Sequence, residues 1–422
     1  MSIVSPAAAA RRIMIVGAGQ AGLQLALGLQ QQGLQVTLVS NRSAEDIRTG
    51  KVMSSQCMFD ASLQIERELG IDFWERECPP VEGIGLSIPN PERPGEKMLA
   101  WAHRLERVAR SVDQRVKIPG WMKTFAERGG EILFKEASVE DLEQWTQAHE
   151  LVIVAAGKGE IAQLFERDAD KSPFDKPQRA LALTYVHGMR PRPAYSAVDF
   201  NLIPGVGEYF VFPALTTTGP CDIMVFEGVP GGPMDCWAGI KTPAEHLARS
   251  LKILETFAPW EAERCRDVRL TDDNGILAGR FAPTVRRPVG RLPSGRFVLG
   301  MGDVVCLNDP ITGQGSNNAA KCAHAYQRAI IAQGTRAFDA AFMQAAFDGY
   351  WQYAQHVVNW TNAMLQPPPP HVLELLGAAS AMPAVARRIV NGFDDPRDYA
   401  NFFMAPDKAA AYLRAEAQLK AA

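Results

Sequence analysis

Residues 12–29 read RIMIVGAGQAGLQLALGL, and the order of residue types in this stretch decides the fold. Ile13 to Val16 is a short apolar run, and Gly17-Ala18-Gly19-Gln20-Ala21-Gly22 is a glycine turn. Leu23, Leu25, Ala26, Leu27 and Leu29 then keep helical spacing. Val36–Val39, after Gly33, predicts the next parallel strand, which completes a βαβ unit of the dinucleotide-binding kind. In such a unit Gly17 makes the tight turn and Gly19 lets the backbone approach a pyrophosphate. Gly22 lets helix and strand pack, while Gln20 and Ala21 open the helix beside the phosphates. One departure stands out. The acidic residue expected at the end of the second strand is missing, and the chain reads Val39-Ser40-Asn41-Arg42. Ser40 or Asn41 is left to bind a ribose hydroxyl; Arg42 either stacks on adenine, meets phosphate, or is an ordinary surface arginine.

Working outward, Leu151–Ala156 and Arg296–Gly300 predict two more strands of the same sheet. Residues 176–275 have another texture. Tyr209–Phe212 and Asp222–Phe226 fit β-strands, broken by Gly/Pro turns such as Val229–Pro233, so an inserted antiparallel sheet is expected. From Ala337 onward the pattern is helical, interrupted by Pro367–Pro370 as a stiff connector. The expected division is a discontinuous nucleotide domain (1–75, 96–175 and 276–336), a substrate domain (76–95 and 176–275) and a C-terminal helical region (337–422).

Composition narrows the function. The 422 residues are 47% hydrophobic and 22% charged, as in an ordinary globular protein. Lys+Arg 44 against Asp+Glu 47 leaves net −3, so no global field draws nucleic acid or an anionic membrane. The seven cysteines are scattered without a C-x-x-C pair, which argues against a disulfide framework or zinc and for a reducing, cytoplasmic setting. Arg11-Arg12 before an apolar stretch could be misread as a twin-arginine signal, but the same residues spell strand, turn and helix. The seven histidines form no H-E-x-x-H, so no metal is expected, and no G-x-S-x-G marks a hydrolase serine.

A second glycine-rich turn comes late, in Asn308–Tyr326, NDPITGQGSNNAAKCAHAY, where Pro310, Gly313, Gln314 and Gly315 lead into an Ala-rich helix. Just before it stand Gly302 and Asp303. FAD is long enough to need both turns. The early turn takes the pyrophosphate, Asp303 takes ribityl or ribose hydroxyls, and the late turn presents amides and a positive helix end to the flavin. In this order the segments resemble flavoprotein monooxygenases of the p-hydroxybenzoate hydroxylase fold. KSPFDKPQRAL (Lys171–Leu181), GMGDVVCLNDPITGQGSNNAA (Gly300–Ala320) and NWTN (Asn359–Asn362) are similar to the two-component styrene and indole monooxygenases over nearly the whole chain.

The resemblance implies an α/β fold with a Rossmann-like FAD-binding domain of the glutathione reductase/p-hydroxybenzoate hydroxylase type, an inserted antiparallel substrate domain and C-terminal helices. It implies FAD as the cofactor, reduced by a separate NADH-dependent flavin reductase, and a flavin C4a-hydroperoxide that epoxidises indole or styrene-like alkenes. Only one G-x-G-x-x-G is present, consistent with no site for a nicotinamide dinucleotide. Arg115 falls where this fold often sends a basic residue toward FAD. In styrene types the pocket carries Asn, Val and His, then Tyr and His, then Ser. Here Ser54, Gln56 and Met58, then Val81 and Ile84, then Ala109 stand there, which is similar to the indole pattern. Ser54 or Gln56 would accept the indole N–H between apolar walls. No side chain is singled out as an essential acid or base, because the cofactor carries the chemistry. A single-component NAD(P)H-dependent hydroxylase remains an alternative, as does a flavin-binding electron-transfer module; whether the chain pairs as a homodimer is left open.

Overall fold

The computed structural model describes residues 11–156 and 160–421. The segment Gly157–Gly159 lies outside the described residues. The chain starts with β1 (Arg12–Val16), the GAGQAG turn, a helix over Gln20–Gln31, and β2 (Gln35–Ser40). It then leaves for a long hairpin, β3 (Pro80–Pro89) and β4 (Lys97–Arg110), and returns with β5 (Glu131–Phe134) and β6 (Leu151–Val154). Then come β7 (Ala180–His187) and a meander of β8 (Ala197–Ile203), β9 (Gly207–Thr216) and β10 (Gly219–Gly228), with β7 beside β10. After β11 (Arg269–Leu270), β12 (Ile276–Gly279) and β13 (Thr284–Val285) the chain re-enters the first layer as β14 (Val289–Arg291) and β15 (Phe297–Gly300).

Two sheets result. The first has order β14-β15-β6-β1-β2-β5, and β1 pairs in parallel with both β2 and β6. A strand flanked on both sides and covered on both faces must be apolar throughout, and Ile13–Val16 are all buried. Because β15 is also parallel to β6, the ends of β1 and β15 point to one edge of the sheet. That edge is where the early glycine turn and Gly302-Asp303 meet, the crevice where this class of sheet binds ligands. The helix Gly315–Gln333 packs along Gln20–Gln31, with the Gln327 amide donating to Gly28 O at 3.0 Å.

The second sheet runs β11-β7-β10-β9-β8-β3-β4, with β12 also pairing with β7. Two expected boundaries shift accordingly. The β3/β4 hairpin lies wholly in this sheet, so the substrate layer extends through Arg110 rather than ending before residue 96. Likewise β12 is held by β7, so the return to the nucleotide layer comes after Gly279 and not at 276. Within the stretch read as β, residues Pro243–Phe257 form a helix, started by a Thr242/Glu245 capping box with proline at its first turn. The C-terminal helices bring Trp360, Phe393, Tyr399 and Phe402 into one aromatic cluster, with Leu86 and Trp101 of the second sheet packed against it. Among the described residues no helix is long and apolar enough to cross a membrane.

Candidate functional site

The early turn is shaped by what its glycines lack. Gly17 has φ +116°, a left-handed conformation, and its N–H is held by Val39 O at 2.9 Å. A Cβ on Gly22 would sit 2.0 Å from Gly17 O, so the helix can approach the strand only without one. Gly19 differs: its backbone is extended, and a Cβ there would have no atom of the described residues within 4 Å. Gly19, Gln20 and Ala21 all line a cavity of about 810 Å³ between the two sheets and the C-terminal region.

The late turn reaches the same cavity. Pro310, Gly313 and Gly315 line it, and Gly313 turns with φ +64°. Five side chains fix this turn. Asp309 Oδ1 accepts from the Ile311 N–H at 3.1 Å, and the Thr312 and Thr361 hydroxyls lie 2.6 Å apart. The buried Asn317 amide donates to Gly313 O at 3.1 Å and Cys57 O at 2.9 Å, while its oxygen accepts from the Phe59 N–H at 2.9 Å. Gln314 is wholly buried and does not line the cavity; its amide donates to Phe393 O at 3.0 Å and so ties the turn to the C-terminal region.

Asp303 lines the cavity with its carboxylate unpaired among the described residues. Burial pushes its carboxyl up to about 6, although water reaches it through the cavity. The two facts agree for a side chain on the floor of a deep pocket. An acceptor without a donor, glycines whose missing Cβ atoms leave open space, and a helix start at Gly315 suit the hydroxyls, pyrophosphate and ring of FAD. The residues present therefore fit that cofactor.

Other residues expected at the cofactor are placed differently. Ser40 is buried and exchanges hydrogen bonds with the Arg42 backbone, Asn41 is exposed, and the Arg42 guanidinium donates to Met53 Sδ. Arg115 is only 2% exposed and bonds Asp113, Asp272 and Thr216; it does not line the cavity.

Of the six expected pocket residues, Ser54 lines the cavity and five do not. Val81, Ile84 and Ala109 are core residues beneath β3 and β4, and Met58 sits in the nucleotide layer, 3.1 Å from the buried Lys117 ammonium. Lys117 in turn pairs with Glu66 at 2.7 Å, to which the Gln20 amide also donates at 3.2 Å. Gln56 is buried behind Ser54. Its amide nitrogen donates to Val112 O at 2.5 Å, which fixes the amide orientation, because two carbonyl oxygens cannot bond each other. Gln56 Oε1 therefore faces Ser54, and the Ser54 hydroxyl must donate to it, at 2.9 Å. Gln114 donates to the same Ser54 oxygen at 3.0 Å.

Comparisons with known proteins agree with this architecture. Residues 12–77 match a family model described as "FAD binding domain", and residues 157–264 match one described as "Styrene monooxygenase A putative substrate binding domain". Styrene monooxygenase StyA of Pseudomonas fluorescens is 29% identical over 407 residues, covering 94% of this chain and 96% of that protein. This chain is StyA-like over nearly its whole length. The fold of this StyA-like chain is shared with a flavoprotein/dehydrogenase from Cytophaga hutchinsonii (TM-score 0.67, 13% identity, 93% and 95% coverage) and with the flavin-dependent brominase Bmp2 (0.61, 14%, 89% and 97%).

Sequence reading missed the walls of the StyA-like cavity. Phe200, Phe210, Val225 and Leu183 stand side by side across β8, β9, β10 and β7, and Leu277 of β12 extends the row. All five line the cavity, with Phe393 from the C-terminal region opposite Phe200 at a ring-centroid distance of 5.5 Å.

Proposed function

We propose that this StyA-like chain takes FAD already reduced by a separate NADH-dependent flavin reductase and epoxidises indole in preference to styrene. Reduced FAD, when bound, supplies the electrons that let one oxygen atom of O2 add across the C2=C3 bond while the other leaves as water. The aromatic row of the second sheet and Phe393 give a flat bicyclic ring apolar walls and keep water from it. Ser54 orients the ring. Its proton is committed to Gln56, so it offers a substrate only a lone pair. An acceptor without a spare proton favours a substrate carrying an N–H, which indole has and styrene lacks. That hydrogen-bond relay is the observation that carries the substrate assignment. Asp303 and the glycines of both turns hold the cofactor.

Reductase dependence is supported by the single dinucleotide fingerprint. It is tested by adding NADH anaerobically to FAD-loaded protein and following flavin absorbance. Negligible bleaching, followed by turnover once any NADH:flavin reductase is added, is expected. Rapid bleaching by NADH alone would make the chain a single-component hydroxylase instead.

A further inference from the structure

The row of strand residues next to the cavity's aromatic row is charged. Glu227 on β10 lies opposite Glu208 on β9 and Leu181 on β7, two residues along from Val225 and therefore on the same face of the sheet. Glu227 is fully buried, and among the described residues neither of its carboxyl oxygens meets a donor. Above it is Asp309, 1% exposed, whose Oδ1 holds the Ile311 N–H of the late glycine turn and whose Oδ2 meets no donor among the described residues. The two carboxyls lie within hydrogen-bonding reach of each other.

The groups facing this pair are Arg179 and Glu208. They do not neutralise it. Arg179 is bidentate on Glu208, at 2.6 and 2.9 Å, and spends its remaining nitrogen on the carbonyls of Gln178 and Leu365. One positive charge is thus matched by one negative, and two further buried carboxyls remain. Two such groups in contact cannot both ionise, since burial and mutual repulsion each oppose the second charge.

We propose that Glu227 and Asp309 share one proton, and that this proton clamps the flavin-binding turn Pro310–Gly315 onto the substrate sheet, making Glu227 a positioning residue for FAD. The inference rests on FAD as the cofactor and is independent of the substrate assignment. Burial, then each partner's charge, raises the Glu227 carboxyl far above its ordinary range; burial also raises that of Asp309. A folded-state value above the unfolded one contributes stability at low pH that is lost as pH rises through the folded value. The clamp therefore opens on the alkaline side: the last proton leaves, the carboxylates repel, and the turn loses its seat on the sheet.

The test follows two quantities from about pH 6 to about pH 10, the FAD dissociation constant by fluorescence titration and the unfolding temperature of the apo-protein. In wild type both worsen on the alkaline side, and affinity falls by up to about tenfold per pH unit once the shared proton is lost. E227Q supplies an amide donor that cannot ionise, so it binds FAD at neutral pH much as wild type does and loses the alkaline limb. D309N does the same from the other side, because its Oδ1 still caps Ile311. E227L offers no donor and binds FAD weakly at every pH. A wild type with no alkaline limb in either quantity, or folded E227Q and D309N variants that keep it, would overturn the proposal. Should both variants fail to fold, infrared spectroscopy of the wild-type apo-protein decides. A protonated-carboxyl band at neutral pH that bleaches on alkaline titration supports the shared proton, and its absence refutes it.

Discussion

Ala21 and Gly302 come from the first and the last sequence segments of the nucleotide layer, yet a Cβ placed on Gly302 would lie 3.0 Å from the Cβ of Ala21. This contact joins the early glycine turn to the late Gly-Asp element. It exists because β1 and β15 end at the same edge of one sheet, and it brings the groups suited to both ends of FAD into one cavity.

The early glycines should separate folding from binding. Gly22→Ala puts a methyl 2.0 Å from Gly17 O, so the variant should lose both stability and FAD. The Cβ of Gly19→Val meets no atom of the described residues within 4 Å and the extended backbone there suits valine, so the apo-protein should melt within a few degrees of wild type while FAD affinity collapses. Unfolding temperatures beside fluorescence titrations check the contrast; a folded Gly19→Val variant with wild-type affinity would show that the turn does not face the pyrophosphate.

Asp303 should act in opposite directions on the apo-protein and the complex. Its carboxyl, raised by burial to about 6, contributes stability below the unfolded value that is lost as pH rises through 6. Asp303→Asn should therefore leave the apo-protein at least as stable as wild type at pH about 7.5, while weakening FAD, whose hydroxyls need the ionised acceptor. In wild type, FAD affinity should fall as pH drops below about 6, and this acid limb should vanish in the variant.

Asn317 closes three backbone groups at once: Phe59 N–H, Cys57 O and Gly313 O. Asn317→Ala leaves a buried N–H without an acceptor, a loss of roughly 1–3 kcal/mol. Chemical denaturation should show that loss, and FAD should bind more weakly because the late turn is no longer tied to residues 57–59.

Gln56 and Ser54 should be separable by substrate. Ser54→Ala removes the acceptor and should lower kcat/KM for indole by about 1–2 kcal/mol while leaving styrene nearly unchanged. Gln56→Leu frees the Ser54 proton and leaves Val112 O unpaired, so it should lower stability and narrow the indole preference. Both ratios are measured with one reductase and one FAD concentration.

The parts legible in sequence are those forced by local geometry. Gly17 and Gly22 have to be glycine whatever surrounds them, so the βαβ unit could be read from residues 12–39, and the order of Gly302-Asp303 and the Pro310–Gly315 turn pointed to the second half of the site. The pocket walls could not be read this way. Whether Phe200 stands beside Phe210, and Phe210 beside Val225, depends on the strand order β8-β9-β10-β7, which residue spacing within one strand does not encode. Arg115 is similar, since Asp272, a partner from a distant segment, holds it away from the cavity lining. The helix Pro243–Phe257 is a different case: its Thr242/Glu245 capping box was present in the sequence, and the β texture around it obscured the signal.

Externally reduced FAD should let this chain oxygenate indole ahead of styrene. This is tested most directly by a single-turnover competition: protein and photoreduced FAD, without NADH, are mixed with O2 and equal amounts of the two substrates, and the products are quantified. Oxygenated indole should predominate over styrene oxide, with little free hydrogen peroxide. Predominant styrene oxide would contradict the substrate assignment, and flavin oxidation that yields only hydrogen peroxide would contradict the monooxygenase reading itself.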